Sequence, residues 1–421
     1  MAANACRPAH PEITMMSTLR SLSSAHNIGD MGELAHRALP AAIRHYLEGG
    51  ADDEWTMRRN SAAFDEWLLA QRVLVDVSSI DPSTDLLGYR SAMPLMLSPT
   101  GMSQLFHATG ELAVAKAAAS AGIPYGLSTM ATTSIEAVAR TAAQRYFQLY
   151  LFRDRGLTTA LLDRAAASGY GALAVTVDTA VAGNRERDLR TGMSMPPRFT
   201  LGSLASFAAH PRWSLSALGK PFKLANIVEH VGDIARGGTS VIDYVNTQFD
   251  RSATWADLAW LRQQWHGKLV IKGALNPDDC AQAVACGVDA IMISNHGGRQ
   301  LEGTGAPIDY LPAIRDRIQG SAQLIVDGGV RRGTHVLKAI ALGADGCSIG
   351  RPYLYGLAAG GEAGVAKVLS ILRSEIERSM TLMGKIRISE ITSRDIRHIS
   401  SFAPAFGTHE KPSSDDTTDI H

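Results

Sequence analysis

The 421-residue sequence predicts an α/β fold, a (β/α)8 TIM barrel with an N-terminal helical cap and a long insertion after the fourth strand. Three observations carry this. Eight short runs from residue 93 onward are almost continuously apolar (ALAVTVD, KLVIKG, AIMISN and QLIVDG among them), as parallel strands buried on both faces require. Ala-rich helical stretches alternate with these runs. Six of the seven spacings between strand starts suit one strand–helix unit each, which favours a closed barrel over a doubly wound sheet.

In chain order, residues 1–27 form a variable segment ahead of one domain over 28–398, whose barrel occupies about 93–383. Residues 32–81 read as the helical cap. The strands are expected at 93–99, 123–129, 145–151, 172–178, 268–273, 290–296, 323–329 and 346–351. GELAVAKAAASA at 110–121 reads as a helix, and so does NPDDCAQAVAC at 276–286, with an Asn cap and Pro at the first helical position. The fifth strand arrives about 70 residues late, so 180–249 is an insertion, and one that long is usually functional or unstructured. After the last strand, Val365, Val368, Leu369, Leu372, Ile376 and Met380 mark one face of an amphipathic helix over 362–383 that packs on the barrel. Residues 399–421, polar from about Lys411 onward, are expected to be a disordered tail.

Composition narrows the function classes. Hydrophobic residues are 45% and charged residues 19%, which excludes a disordered chain. Lys+Arg and Asp+Glu are both 41, so a whole-protein basic footprint for nucleic acid is missing. The 4 scattered cysteines suit neither a disulfide framework nor a zinc site; they read as reduced thiols of a cytoplasmic protein, with no metal expected. The N-terminus has no apolar core of a signal peptide, and no apolar run reaches the ~18 residues that span a bilayer.

Barrel enzymes place their chemistry at the C-terminal strand ends. Those ends carry Thr100, Ser128, Gln148, Tyr150, Thr176, Asp178, Lys272, His296, Asp327 and Arg351, more polarity than packing explains. The loops Asp327-Gly328-Gly329-Val330-Arg331 and Gly350-Arg351 follow strands seven and eight, the usual phosphate site, where glycines admit a phosphate to backbone N–H groups. That phosphate belongs to a substrate or to a cofactor such as FMN. His296 suits proton transfer, and Arg299, three residues on, suits two-point contact with a carboxylate. Asp178 is placed to orient His296 and stabilise its protonated form. Lys272, on a buried strand, needs an anion partner, which a reduced flavin would provide.

SNHGGRQ at 294–300, DGGVRRG at 327–333, IGRPYLYGLAAGGEAGV at 349–365, FQLY at 147–150 and YLEGGADDEWT at 46–56 resemble the FMN-dependent L-2-hydroxy acid oxidase/dehydrogenase family, over nearly all of 28–398. The resemblance implies a barrel that holds FMN and oxidises an L-2-hydroxy acid to the 2-oxo acid. It implies His296 as catalytic base with Asp178 as partner, Arg299 and Arg185 as the carboxylate clamp, and Tyr46 and Tyr150 as substrate contacts. Lys272 resembles the lysine at flavin N1/C2=O. Pro99, Thr100, Gly101, Ser128, Gln148 and Thr176 resemble flavin-ring contacts, and Asp327, Gly329, Arg331, Gly350 and Arg351 the ribityl and phosphate site. It also implies a homotetramer, and it leaves hydride and carbanion routes both open.

Gly101 stands where oxidases of the family commonly carry Ala and membrane-bound lactate and mandelate dehydrogenases carry Gly. Between 190 and 228 lie five basic residues (Arg190, Arg198, Arg212, Lys220 and Lys223), no acidic residue, and apolar residues including Phe199, Leu201, Leu204, Trp213 and Leu215. A basic, apolar, acid-free segment in a neutral protein reads as a membrane-surface element, with an active-site loop as the alternative. GMSMPPRFTLGSL and HPRWSL resemble the membrane insertion of those dehydrogenases. The expectation is a cytoplasmic protein held peripherally on the inner face of the cell membrane, passing electrons to a quinone or other respiratory acceptor. The alternatives are a soluble oxidase that uses O2 and makes H2O2, and a non-redox barrel enzyme on a phosphorylated substrate. Met130 and Ala182 are expected as roomy pocket walls that admit lactate or a phenyl-bearing acid such as mandelate.

Overall fold

The computed structural model describes residues 22–141, 144–193, 199–217, 223–227 and 247–402. Eight parallel strands close into a barrel: β1 Leu95–Thr100, β2 Tyr125–Ser128, β3 Arg145–Tyr150, β4 Ala172–Thr176, β5 Lys268–Lys272, β6 Ala290–Ser294, β7 Gln323–Asp327 and β8 Gly346–Ile349. Consecutive strands are neighbours, and β8 pairs with β1. Each expected run holds a strand, and most strands stop short of it. Asp178 and His296 lie past the last paired residue, where backbone is free to turn side chains toward the mouth.

The two strand faces have separate partners. Met96, Tyr146, Ala172, Ala174, Val270, Ala290, Met292 and Ile325 fill the barrel interior. Leu87 joins them from the turn between the short antiparallel strands Thr84–Leu86 and Tyr89–Ser91, and its N–H donates to Gln323 Oε1 at the start of β7 (2.9 Å), so this hairpin plugs the N-terminal end. The outward residues, such as Leu95, Leu97, Leu127, Leu173 and Ile291, pack beneath the helices. Each such fully buried side chain contributes about 1.5–3 kcal/mol.

The cap consists of helices Ile28–Ala38, Ala41–Glu48 and Trp55–Ala62. Asn27 caps the first, its side chain accepting from Asp30 N at 2.9 Å. Leu22 and Ala25 are buried in the main core, so the end of the N-terminal segment is part of the packed domain. A strand unforeseen in the sequence, Trp67–Leu69, pairs antiparallel with Ile396–His398. The last helix begins at once after β8 and spans Arg351–Leu382, with a break at Gly360 and Gly361; every residue of the expected apolar face is buried. Of the tail expected over 399–421, Ile399–Phe402 form a 3-10 turn; the rest of it, and residues 1–21, lie outside the described residues.

Within the insertion the described residues form helices Glu186–Thr191, Leu201–Ala209 and Pro211–Ala217. They dock on the cap side of the barrel: Trp213 Nε1 donates to Leu105 O (2.9 Å), and Ala41 N donates to Ser206 Oγ (2.8 Å). Phe207 and Trp213 pack against the core, whereas Leu201 (86% exposed), Leu215 (68%), Leu204 (51%) and Phe199 (39%) face outward. Arg198 and Lys220 lie outside the described residues.

Candidate active site

The ladder register gathers the site. Thr176 is paired with Tyr150 on one side and Lys272 on the other, and Asp327 with Ser294 and Ser348, so these side chains share one rim. Just past β6, His296 takes a left-handed backbone (φ +57°), uncommon outside glycine and costing about 1–3 kcal/mol. That turn aims the ring across the mouth to Asp178. His296 Nδ1 lies 3.0 and 3.3 Å from the two carboxylate oxygens, and Nε2 is left for the cavity, which His296 lines. Burial acts to raise the Asp178 carboxyl, but His296 and then Lys272 outweigh it and hold it below its ordinary range. The approach requires Gly273, since a Cβ there would stand 2.6 Å from Asp178 Cγ, and its φ is +101°.

Lys272 has an anion partner within the protein. Its Nζ lies 2.9 Å from Asp327 Oδ2, with both side chains almost wholly buried. Ser294, on the strand between them, joins the pair: it accepts from Lys272 Nζ (3.1 Å) and His296 N (3.1 Å) and donates to Asp327 Oδ2 (2.8 Å). Burial disfavours the ammonium, but Asp327 and Asp178 outweigh it and raise Lys272 above its ordinary value. Asp327, expected at the ribityl and phosphate site, is the counter-charge to Lys272 and also lines the cavity.

Two guanidinium groups flank the Tyr46 ring, Arg299 at 5.1 Å and Arg185 at 5.6 Å from its centroid. Arg299 uses Nη1 on the carbonyls of Tyr46 (2.9 Å) and Gly49 (2.8 Å), which orients the group and leaves its other donors unspent. Burial, followed by repulsion from Arg185, pushes Arg299 down to about 10. Among the described residues no carboxylate pairs with it, so the cavity holds a desolvated cation that calls for an anion. Arg185 Nε lies 3.3 Å from a buried Asp188 carboxylate. Tyr150 lines the same cavity, and burial, then the Asp178 carboxylate, raises its hydroxyl above the ordinary value.

The remaining expected residues divide. Pro99, Thr100, Gly101, Gly329, Arg331, Gly350 and Arg351 line the same large cavity as His296 and Lys272. Ser128, Gln148 and Thr176 do not line it; they form a buried relay at the strand ends, Ser128 Oγ to Gln148 Oε1 (3.0 Å) and Gln148 Nε2 to Thr176 Oγ1 (2.9 Å). Arg351 spends three of its five donors on the carbonyls of Leu47, Gly297 and Gly49, so it also ties the cap to the His296 loop. A Cβ on Gly101 would meet Met130 Cβ at 2.8 Å and Met130 O at 3.2 Å, so the missing methyl lets two loops touch as well as opening space in the mouth. Met130 and Ala182 line the cavity as expected, joined by Val181 and Phe249.

Several contributors escaped the sequence reading. Asn295 exchanges amide bonds with Asn60 of the cap (2.8 and 2.6 Å), and Gln300 Nε2 donates to Asp178 O (2.7 Å) and Val181 O (2.8 Å). Both stand inside SNHGGRQ, where only the His and Arg had been used. Phe249, edge-on to Tyr150 at 5.1 Å, carries no motif.

The comparisons agree with this geometry. A family model described as FMN-dependent dehydrogenase matches residues 35–398. The L-lactate dehydrogenase of Alcaligenes faecalis is 42% identical over 367 residues, 86% of this chain and 96% of that protein. The solved structure of the monotopic membrane protein (S)-mandelate dehydrogenase superposes with a TM-score of 0.85 at 36% identity, covering 89% of this chain and 100% of the other. That of a mandelate oxidase with (S)-2-phenylpropionate gives 0.75 at 33% identity, covering 89% and 98%. The chain belongs to the FMN-dependent dehydrogenase family.

Proposed function

We propose that the protein oxidises an L-2-hydroxy acid of the lactate or mandelate type to the 2-oxo acid and passes the electrons to a quinone or other respiratory acceptor. The observation that carries this is the convergence on one cavity of two guanidinium groups, a His–Asp pair and a buried lysine. A non-redox barrel enzyme has no place in an FMN-dependent family.

The donor set fits FMN. The cavity is lined by the Lys272 ammonium and, from the loops after β1, β7 and β8, by Thr100, Gly101, Gly329, Arg331 and Gly350, whose backbone and guanidinium donors suit a phosphate. Lys272 would face the ring's N1/C2=O edge. When bound, FMN supplies the two-electron acceptor. Arg299 and Arg185 bind the substrate carboxylate, and Tyr46 and Tyr150 steer its oxygen atoms. His296 Nε2 takes a proton from the substrate, while Asp178 holds the ring through Nδ1 and stabilises the imidazolium.

The insertion supports membrane attachment. No helix among the described residues is long and apolar enough to cross a bilayer, yet Leu201, Leu204 and Leu215 stand exposed on a segment without acidic residues. This is the pattern of a surface-lying element, and the protein is proposed to sit peripherally on the cytoplasmic face of the membrane as a homotetramer. Replacing Leu201, Leu204 and Leu215 together by Asp is expected to move the protein from the pellet to the supernatant with anionic vesicles, with flavin reduction retained. Wild-type protein that never sediments with such vesicles contradicts the attachment. The oxidase reading is kept by the likeness to a mandelate oxidase; faster reoxidation of the reduced enzyme by air than by a soluble quinone would favour it.

A further inference from the structure

Glu111 has no part in the chemistry above, yet it is one of the most completely buried acids in the described residues (0% exposed). It lies in the first turn of the helix Gly110–Ala121. Its carboxylate accepts four hydrogen bonds from two different loops. Oε1 accepts from Ser103 N (3.1 Å) and Thr132 N (2.9 Å), and Oε2 accepts from Thr132 Oγ1 (2.6 Å) and Thr133 Oγ1 (2.8 Å). Ser103 follows β1, and Thr132 and Thr133 follow β2.

These loops build the mouth. The first carries Gly101, Met102 and Phe106 into the cavity, and the second carries Met130. They are also bound directly, Met102 N donating to Met130 O (2.9 Å) and Gln104 N to Thr132 Oγ1 (3.3 Å). The Gly101–Met130 contact leaves no slack, since one added methyl would stand 2.8 Å from Met130 Cβ. A buried acid is costly unless its lone pairs are satisfied, and here the satisfying donors are the loops themselves. Any shift of the carboxylate therefore shifts the wall.

We propose that Glu111 is a positioning residue that, through the loops after β1 and β2, sets where Met130 stands and so how large a side chain on the substrate the site accepts. This rests on the reading of the cavity as a 2-hydroxy acid site. Glu111→Asp keeps the charge but withdraws the carboxylate by one methylene, so it cannot reach both loops. Glu111→Gln keeps the reach and, by turning its amide, can bond the same partners.

The test is steady-state kinetics of the holoenzyme with L-lactate and with (S)-mandelate, for wild type, Glu111→Asp, Glu111→Gln, Met130→Ala and Glu111→Asp/Met130→Ala. Glu111→Asp is expected to change the mandelate-to-lactate ratio of kcat/KM by about fivefold, mainly through KM, and Glu111→Gln to restore most of it. In the Met130→Ala background the same change is expected to stay under about twofold, because the side chain it acts through is gone. If Glu111→Asp does not fold, Thr133→Val, which removes one donor to the same carboxylate, is carried through the same cycle. Equal loss with both acids, or the same ratio change with and without Met130, overturns the proposal. Wild-type enzyme whose flavin is reduced by no 2-hydroxy acid overturns the underlying functional reading instead.

Discussion

His296→Ala is expected to keep its FMN and to lose flavin reduction by about 10²–10⁴-fold, the range that a positioned general base supplies. The structure makes this substitution clean. His296 lines the cavity with Nε2 and spends Nδ1 on Asp178, while Lys272, Arg331 and the glycine loops stand on other strands. Alanine meets the same left-handed φ of +57°, so the substitution does not relieve that backbone strain. It leaves Asp178 without the neighbour that most lowers its pKa, so this carboxyl should move up toward and past its ordinary value. Rapid mixing with substrate under anaerobic conditions separates the cases. A normal flavin spectrum with slow bleaching fits a base, and near-normal bleaching rules out that role.

Lys272→Met should do damage of a different kind. Breaking a buried pair leaves Asp327 uncompensated, at a cost of about 3–5 kcal/mol in stability, while the cavity loses the cation proposed to face the flavin ring. The two losses can be split. In Lys272→Met/Asp327→Asn no buried charge is stranded, so much of the stability lost in urea unfolding should return, but flavin reduction should remain slow. If the double variant regained fast reduction, Lys272 would be a structural partner of Asp327 and nothing more.

That pair also shows where sequence reading stops. Lys272 was legible as a costly buried cation, and Asp327 as the start of a glycine loop. Their meeting depends on barrel closure, which sets β6 between β5 and β7 and puts Ser294 between the two charges. The eight strands themselves were legible because burial on both faces leaves an unbroken apolar run, and the helix at 110–121 has the bounds its pattern suggested. Trp67–Leu69 was not, since three residues carry no period and its partner at Ile396–His398 is distant in sequence. Arg351 was legible as a cavity residue from its place after β8, but its bonds to three carbonyls that hold the cap on the site were not. Phe249 lines the pocket from the far end of the insertion, and no pattern in the sequence marks it. By contrast, the residues that meet substrate in the proposed mechanism were nearly all visible, because strand ends and glycine loops carry little else.

The most direct test is an anaerobic visible spectrum of the purified protein before and after L-lactate and (S)-mandelate, each added separately. The account predicts flavin bands that bleach with at least one of the two acids. Protein that binds no flavin even after reconstitution with FMN, or whose bound flavin stays oxidised with every 2-hydroxy acid offered, would contradict it.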